Sequence, residues 1–143
     1  MHFLSNAKKK ILKTSTFTMS IIPRKLHGII DYVWTTVMFE MPFLLGFASV
    51  TPAAACFFIA ALSTLIISLF TNYEVGVWKR LPMAFHLDMD MALGLTLAIS
   101  PWLFDFYQQV FWPHVLMGVF AIVAGFVSES NSLITNINED FNG

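Results

Sequence analysis

A histidine and an aspartate four residues apart occur twice in this chain, as PRKLHGIID at residues 23–31 and PMAFHLDMD at residues 82–90. Both stretches share the form P-x3-H-x3-D. On a helix, positions i and i+4 lie on one face with their Cβ atoms roughly 5–6 Å apart. His27 with Asp31, and His86 with Asp90, can therefore act as pairs. If the two helices meet, two imidazoles and two carboxylates converge.

Such a set has several chemistries open to it. Two histidines and two carboxylates suit a divalent transition metal, Zn²⁺, Mn²⁺ or Fe²⁺. Ionisable groups on membrane helices also serve proton or cation relays, and a polar path from Asp31 through Thr35 or Thr36 to Glu40 would continue outward. Thr96 adds a further hydroxyl. Two histidines on facing helices could also ligate haem, with aspartate as a hydrogen-bonding partner of the ligand. The bland alternative is a hydrogen-bonded cluster that staples two helices together, a contact worth roughly 0.6–2 kcal/mol in a membrane.

Other polar residues stand further off. Asp88 lies roughly 200° around a helix from His86 and is expected to face the headgroups, with a role as an additional ligand the alternative. Glu40, just before Met41-Pro42, is expected to reach the outer headgroups. His114, in the stretch WPHV, reads as an interfacial histidine or an accessory ligand. Met83, Met89 and Met91 near His86 would suit a soft ion such as Cu(I), although methionine is more often apolar filler.

The elements that position these residues follow from composition. The chain has 143 residues, 57% of them hydrophobic and only 12% charged. Soluble domains carry about 25% charged residues. Four apolar runs, near residues 26–47, 52–70, 83–104 and 110–127, account for the difference. Each approaches the ~20 residues that a helix needs to cross ~30 Å of hydrocarbon. The expected fold is an all-α membrane bundle of four transmembrane helices.

Positive charge orients the bundle. Lys8, Lys9, Lys10, Lys13, Arg24 and Lys25 precede the first run, and Lys79 and Arg80 separate the second from the third. The positive-inside rule then places the N-terminus, the central loop and the C-terminus on the cytoplasmic side. Trp102, Tyr107, Phe111 and Trp112 read as an outer aromatic belt, and Tyr73 and Trp78 as an inner one.

The chain repeats itself. Pro23, His27, Asp31, Pro42, Leu44 and Phe47 are each matched 59 residues later, by Pro82, His86, Asp90, Pro101, Leu103 and Phe106. The unit is a two-helix hairpin, used twice. Units of the same orientation are related by a pseudo-twofold axis along the membrane normal. The organisation expected is a basic tail at 1–22, a first unit at 23–72, a second at 82–130, and a polar tail at 131–143. The basic tail suits an anionic inner leaflet or plain disorder, and Met19 is an alternative start to Met1. Pro23 and Pro82 fit the first turn of their helices, and Pro42 and Pro101 the outer ends.

The stretch SPWLFDF at residues 100–106 resembles the SPW-repeat family of small integral membrane proteins, named for a Ser-Pro-Trp motif in a two-helix membrane repeat. The first unit, MPFLLGF at residues 41–47, keeps only the proline. The resemblance covers about residues 23–130 and implies a protein of bacterial or archaeal type in the cytoplasmic membrane. It implies no catalytic residue.

Several function classes drop out. Net charge is −1, without a basic groove for nucleic acid. The single cysteine, Cys56, excludes an internal disulfide and reads as a small buried hydrophobe. Phosphate-binding glycine loops, nucleophile elbows and CxxC motifs are absent from the sequence. Two readings of function remain: an intramembrane metal or proton site on His27, Asp31, His86 and Asp90, or an accessory protein that binds lipid, another copy of itself or another membrane protein. An enzyme at the inner face of the bilayer is a third.

Overall fold

The computed structural model describes residues 21–128. The expectations for the basic stretch, for Met19 and for the tail from 131 onward fall outside that range, apart from residues 21 and 22. Four helices follow one another: α1 (Arg24–Leu44), α2 (Thr51–Phe70), α3 (Met83–Leu103) and α4 (Trp112–Val127). Among the described residues the fold is all-α, with two isolated β-bridges, Ile22 to Ser128 and Thr71 to Leu81.

The 59-residue offset is written into the backbone as well as the sequence. Pro23 and Pro82 sit one residue ahead of their helices as N-caps, with ψ of 147° in both. The proline carbonyls accept the first helical bonds, from His27 N–H at 3.0 Å and His86 N–H at 3.2 Å. Pro42 and Pro101 occupy the last turns of α1 and α3. Beyond them Gly46 and Asp105 take positive φ, 74° and 55°. Glycine adopts this left-handed conformation freely, and aspartate is one of the few other residues that visits it. Each turn then closes with a 2.9 Å bond, Phe47 N–H to Pro42 O and Phe106 N–H to Pro101 O. Both phenylalanines are buried as a result.

The bundle is apolar outside and polar inside. Ile29 and Val33 on α1, Ile59 and Leu62 on α2, Leu95 and Ile99 on α3, and Val119 and Val123 on α4 all face outward. His27, Asp31, Thr35, Thr64, Ser68, His86, Asp90 and His114 face inward. Between α3 and α4 the backbones nearly touch, since a Cβ on Gly94 would lie 2.7 Å from the Gly118 carbonyl oxygen and one on Gly118 would collide with that of Gly94. Small residues permit this approach in apolar surroundings. The half of the bundle away from Pro23 and Pro82 is filled by Met38, Phe47, Phe57, Leu97 and Phe106.

Among the described residues one helix, α2, is both long and apolar enough to cross a membrane by that measure alone. Arg24, Lys25, Asp31 and Glu40 interrupt α1, Asp88 and Asp90 interrupt α3, and α4 is apolar but only 16 residues long. Three expectations change. Tyr73 is fully buried and does not belong to an inner interfacial belt, whereas Trp78 is exposed. His114 is also fully buried: Phe47, Phe57 and Phe106 surround it, and its Nε2 bonds the Ala53 carbonyl at 3.1 Å. Cys56 is half-buried and not part of the sealed core. The outer aromatics Trp102, Tyr107, Phe111 and Trp112 are exposed.

Candidate metal centre

The first two turns of α1 and α3 bring His27, Asp31, His86 and Asp90 into one buried cluster. The helical i, i+4 spacing sets each histidine beside its own aspartate: His27 Nε2 lies 3.3 Å from Asp31 Oδ1, and His86 Nε2 lies 3.1 Å from Asp90 Oδ2. Contacts between the helices are as close. His27 Nε2 lies 2.9 Å from Asp90 Oδ2, and His86 Nε2 lies 3.1 Å from Asp31 Oδ2. The two Nε2 atoms are 3.2 Å apart, with the rings edge to face.

The far side of each ring fixes its tautomer. His27 Nδ1 lies 2.7 Å from Ser128 Oγ, and His86 Nδ1 lies 2.8 Å from Thr71 Oγ1. Each hydroxyl already donates its single proton to a carbonyl four residues back, Ser128 to Ala124 at 2.6 Å and Thr71 to Ile67 at 2.7 Å. The hydroxyl oxygen must then accept, so the proton of each ring sits on Nδ1. Both Nε2 atoms thereby face the cluster, as N–H donors to the carboxylates without a metal and as lone pairs toward an ion once those protons leave. Ser128 follows α4 and Thr71 follows α2, so the end of each hairpin orients the histidine of the other.

The two aspartates differ in their surroundings. Asp31 Oδ2 accepts from Ser68 Oγ at 3.1 Å and from Tyr73 Oη at 3.2 Å. Gly125, three residues before Ser128 as Ser68 is three before Thr71, brings no such donor to Asp90, and a Cβ there would lie 3.6 Å from the Cβ of Asp90. The connection between α2 and α3 covers the cluster at the end where α1 and α3 begin. Arg24 Nη2 to Glu74 Oε1 at 3.2 Å and Tyr32 Oη to the Val75 carbonyl at 3.1 Å tie it down. Tyr73 reaches the cluster over Gly28, where any Cβ would collide with its ring. Burial first, and the charge of Asp31 second, push the Tyr73 phenol above its ordinary value, which keeps it a proton donor.

A cavity of about 20 Å³ adjoins His27, Asp31 and Asp90 on the side away from Tyr73 and is also lined by Thr64. That is room for about one water molecule.

The remaining candidates lie elsewhere. Glu40 and Asp88 are exposed, and His114 belongs to the aromatic nest of Phe47, Phe57 and Phe106. The path from Asp31 toward Glu40 is not continuous. Thr36 is exposed and bonds the Tyr32 carbonyl, while the buried Thr35 hydroxyl has no hydrogen-bond partner. Thr96 is exposed and bonds the Ala92 carbonyl. Ser68, Thr71, Tyr73 and Ser128 are the participants that sequence reasoning did not pick out. Hydroxyl residues near helix ends are too common to draw notice.

A four-helix, all-α bundle with a buried, doubly paired His/Asp centre and an apolar exterior defines the class. Within that class the chain belongs to the SPW repeat domain family, whose match spans residues 25–128. No curated protein and no solved structure matches the chain significantly. Its namesake tripeptide forms the last turn of α3, with Ser100 and Pro101 buried and Trp102 turned outward.

Proposed function

We propose that this is an integral membrane protein that binds one divalent transition-metal ion between its two hairpins, through His27, Asp31, His86 and Asp90. The observation that carries this reading is the pairing of two converging Nε2 atoms with two carboxylates, while both Nδ1 atoms are held by hydroxyls that can only accept. Hydrogen bonding at the second ring nitrogen is how proteins fix the tautomer of a metal-binding histidine. The spacing supports it too. Bonds of 2.0–2.1 Å in a tetrahedron put neighbouring ligand atoms about 3.3–3.4 Å apart. Here the two Nε2 atoms are 3.2 Å apart and Asp90 Oδ2 lies 2.9 and 3.1 Å from them, while Asp31 turns a different oxygen to each ring and the four ligand atoms all lie within 4.8 Å of one another, so an ion would require Asp31 to commit one oxygen to it. Nitrogen and oxygen donors in that geometry favour Zn²⁺, ahead of Mn²⁺ and Fe²⁺.

Charge points the same way. Two ionised carboxylates beside two neutral imidazoles carry −2 in a buried place, which a divalent cation cancels. Two additional protons, one on each Nε2, would cancel it as well. That arrangement is the competing reading, a metal-free staple in an accessory protein.

Membrane location is supported by the family and by the inside-out distribution of polarity. A soluble protein rarely exposes contiguous apolar surface beyond a few hundred Å²; here all four helices expose it. Ionisable groups in membrane helices face inward and find partners, as these do. In this reading α1 and α2 (unit 23–72) and α3 and α4 (unit 82–130) are transmembrane hairpins in parallel, related by a pseudo-twofold axis along the membrane normal. By the positive-inside rule Lys79 and Arg80 support a site near the cytoplasmic side, with both termini cytoplasmic.

Metal analysis of purified protein, prepared without chelators, tests the site. About one ion per chain is expected, lost in the His27→Ala/His86→Ala variant while helicity is retained. A metal-free wild type that also fails to take up Zn²⁺ would leave the staple.

A further inference from the structure

A second cavity, of about 360 Å³, opens between α2 and α3 in the outer half of the bundle. Its walls are Cys56, Ile59 and Ala60 from α2, and Leu93, Thr96 and Ser100 from α3, among others. The two α3 hydroxyls are turned to their own helix: Ser100 Oγ donates to the Leu97 carbonyl at 2.7 Å and Thr96 Oγ1 to the Ala92 carbonyl at 2.8 Å. The groove therefore offers almost no hydrogen-bonding group to an occupant. It opens onto the apolar exterior, where Ile59 and Phe104 are 64% and 53% exposed.

The internal repeat shows that this space is unfilled and not merely uneven. Leu93 is the counterpart, 59 residues on, of Trp34. On the α1–α4 side Trp34 stacks on Phe120, with ring centroids 4.8 Å apart, and the cavity these two rings help to line holds only about 20 Å³. On the α2–α3 side the smaller leucine leaves a groove. An empty space of this size would forfeit dispersion contacts along its whole lining.

We propose that the groove between α2 and α3 binds one phospholipid acyl chain, which completes the packing that Trp34 completes on the opposite side. The inference rests on the membrane location proposed above and is independent of the metal. Ala60, Leu93 and Leu97 also line the small cavity beside His27, Asp31 and Asp90, so the seated chain forms the outer side of the wall enclosing that cluster.

The full-length protein in phosphatidylcholine vesicles, doped with phosphatidylcholine carrying a diazirine on one acyl chain, tests this. After irradiation the adducts are mapped by mass spectrometry. Adducts are expected to concentrate on Cys56 and on residues 93–100, several-fold above those on the exposed face of α4. They should fall several-fold in Leu93→Trp, which installs the side chain that closes the other gap. Cys56→Phe fills the groove from the opposite wall and must give the same loss, whether or not Leu93→Trp folds. Even labelling around all four helices, unchanged by either substitution, overturns the slot and leaves the membrane location standing. A wild-type protein that does not insert into vesicles overturns both.

Discussion

His27 and His86 stand 59 residues apart in the chain, and their Nε2 atoms stand 3.2 Å apart in the fold. The interval of the sequence repeat is therefore also the interval of the contact. Equivalent positions of two hairpins meet face to face. Neither hairpin alone can form the centre, because each brings one imidazole and one carboxylate.

Single His27→Ala and His86→Ala variants should each weaken Zn²⁺ binding, by at least about 100-fold, since losing a ligand costs more than the 10–100-fold typical of losing its supporting hydrogen bond. Competition with a chromophoric chelator measures it. Equal losses would agree with a shared site, whereas loss from only one variant would assign the ion to a single hairpin.

Ser128→Ala and Thr71→Val should each lower the affinity by about 10–100-fold without removing a ligand. Both free an imidazole to rotate and to move its proton to Nε2, where it blocks the metal. Unchanged affinity in both variants would remove the tautomer argument.

Metal binding should release protons. If the metal-free cluster is neutral through two protonated imidazoles, each divalent ion displaces two protons, and affinity falls as pH falls because ligands must be deprotonated. Titration of Zn²⁺ into weakly buffered protein, followed by a pH indicator, counts them. No release would mean that the site is already deprotonated without metal.

Gly28→Ala should disturb the inner closure, because its new Cβ meets the Tyr73 ring and the Val75 side chain. Overpacking of this sort costs about 1–3 kcal/mol. Thermal unfolding in detergent should show it, and Gly28→Ala/Tyr73→Phe should recover little, because the ring itself is what the Cβ meets. Recovery in Gly28→Ala/Tyr73→Ala would locate the clash at Tyr73.

The Tyr73 phenol should resist ionisation above pH ~10, the ordinary tyrosine value, because burial and Asp31 both raise it. The sign follows: its neutral form contributes fully to stability below the unfolded value, and the contribution is lost progressively as pH rises from there through the higher folded value. Absorbance titration of wild type against Tyr73→Phe checks this; an equal number of tyrosines ionising near pH 10 in both is expected.

The paired histidines and aspartates were legible in the sequence because their spacing is a property of the helix itself. A period of 3.6 residues places i and i+4 on one face whatever the surroundings. The 59-residue offset was legible too, and the structure adds matching turns and buried phenylalanines at its repeated positions, since equal local sequences meet equal local constraints. The hydroxyls that orient the rings were not legible. Thr71 and Ser128 are 57 residues apart rather than 59, because α2 has 20 residues and α4 has 16, and their common role is defined by the helix they end against, not by register. Tyr73 looked like an interfacial aromatic until Gly28 gave it an interior place. His114 looked interfacial until three phenylalanines from separate segments closed around it. The sequence by itself determined the helices, their apolar exteriors and the faces that carry the His/Asp pairs, all set by neighbours within a few residues. Only the tertiary structure decided which hydroxyls hold which ring nitrogen, and that Trp34 fills a gap that Leu93 leaves open, because those outcomes depend on the distance between helices that no local pattern encodes.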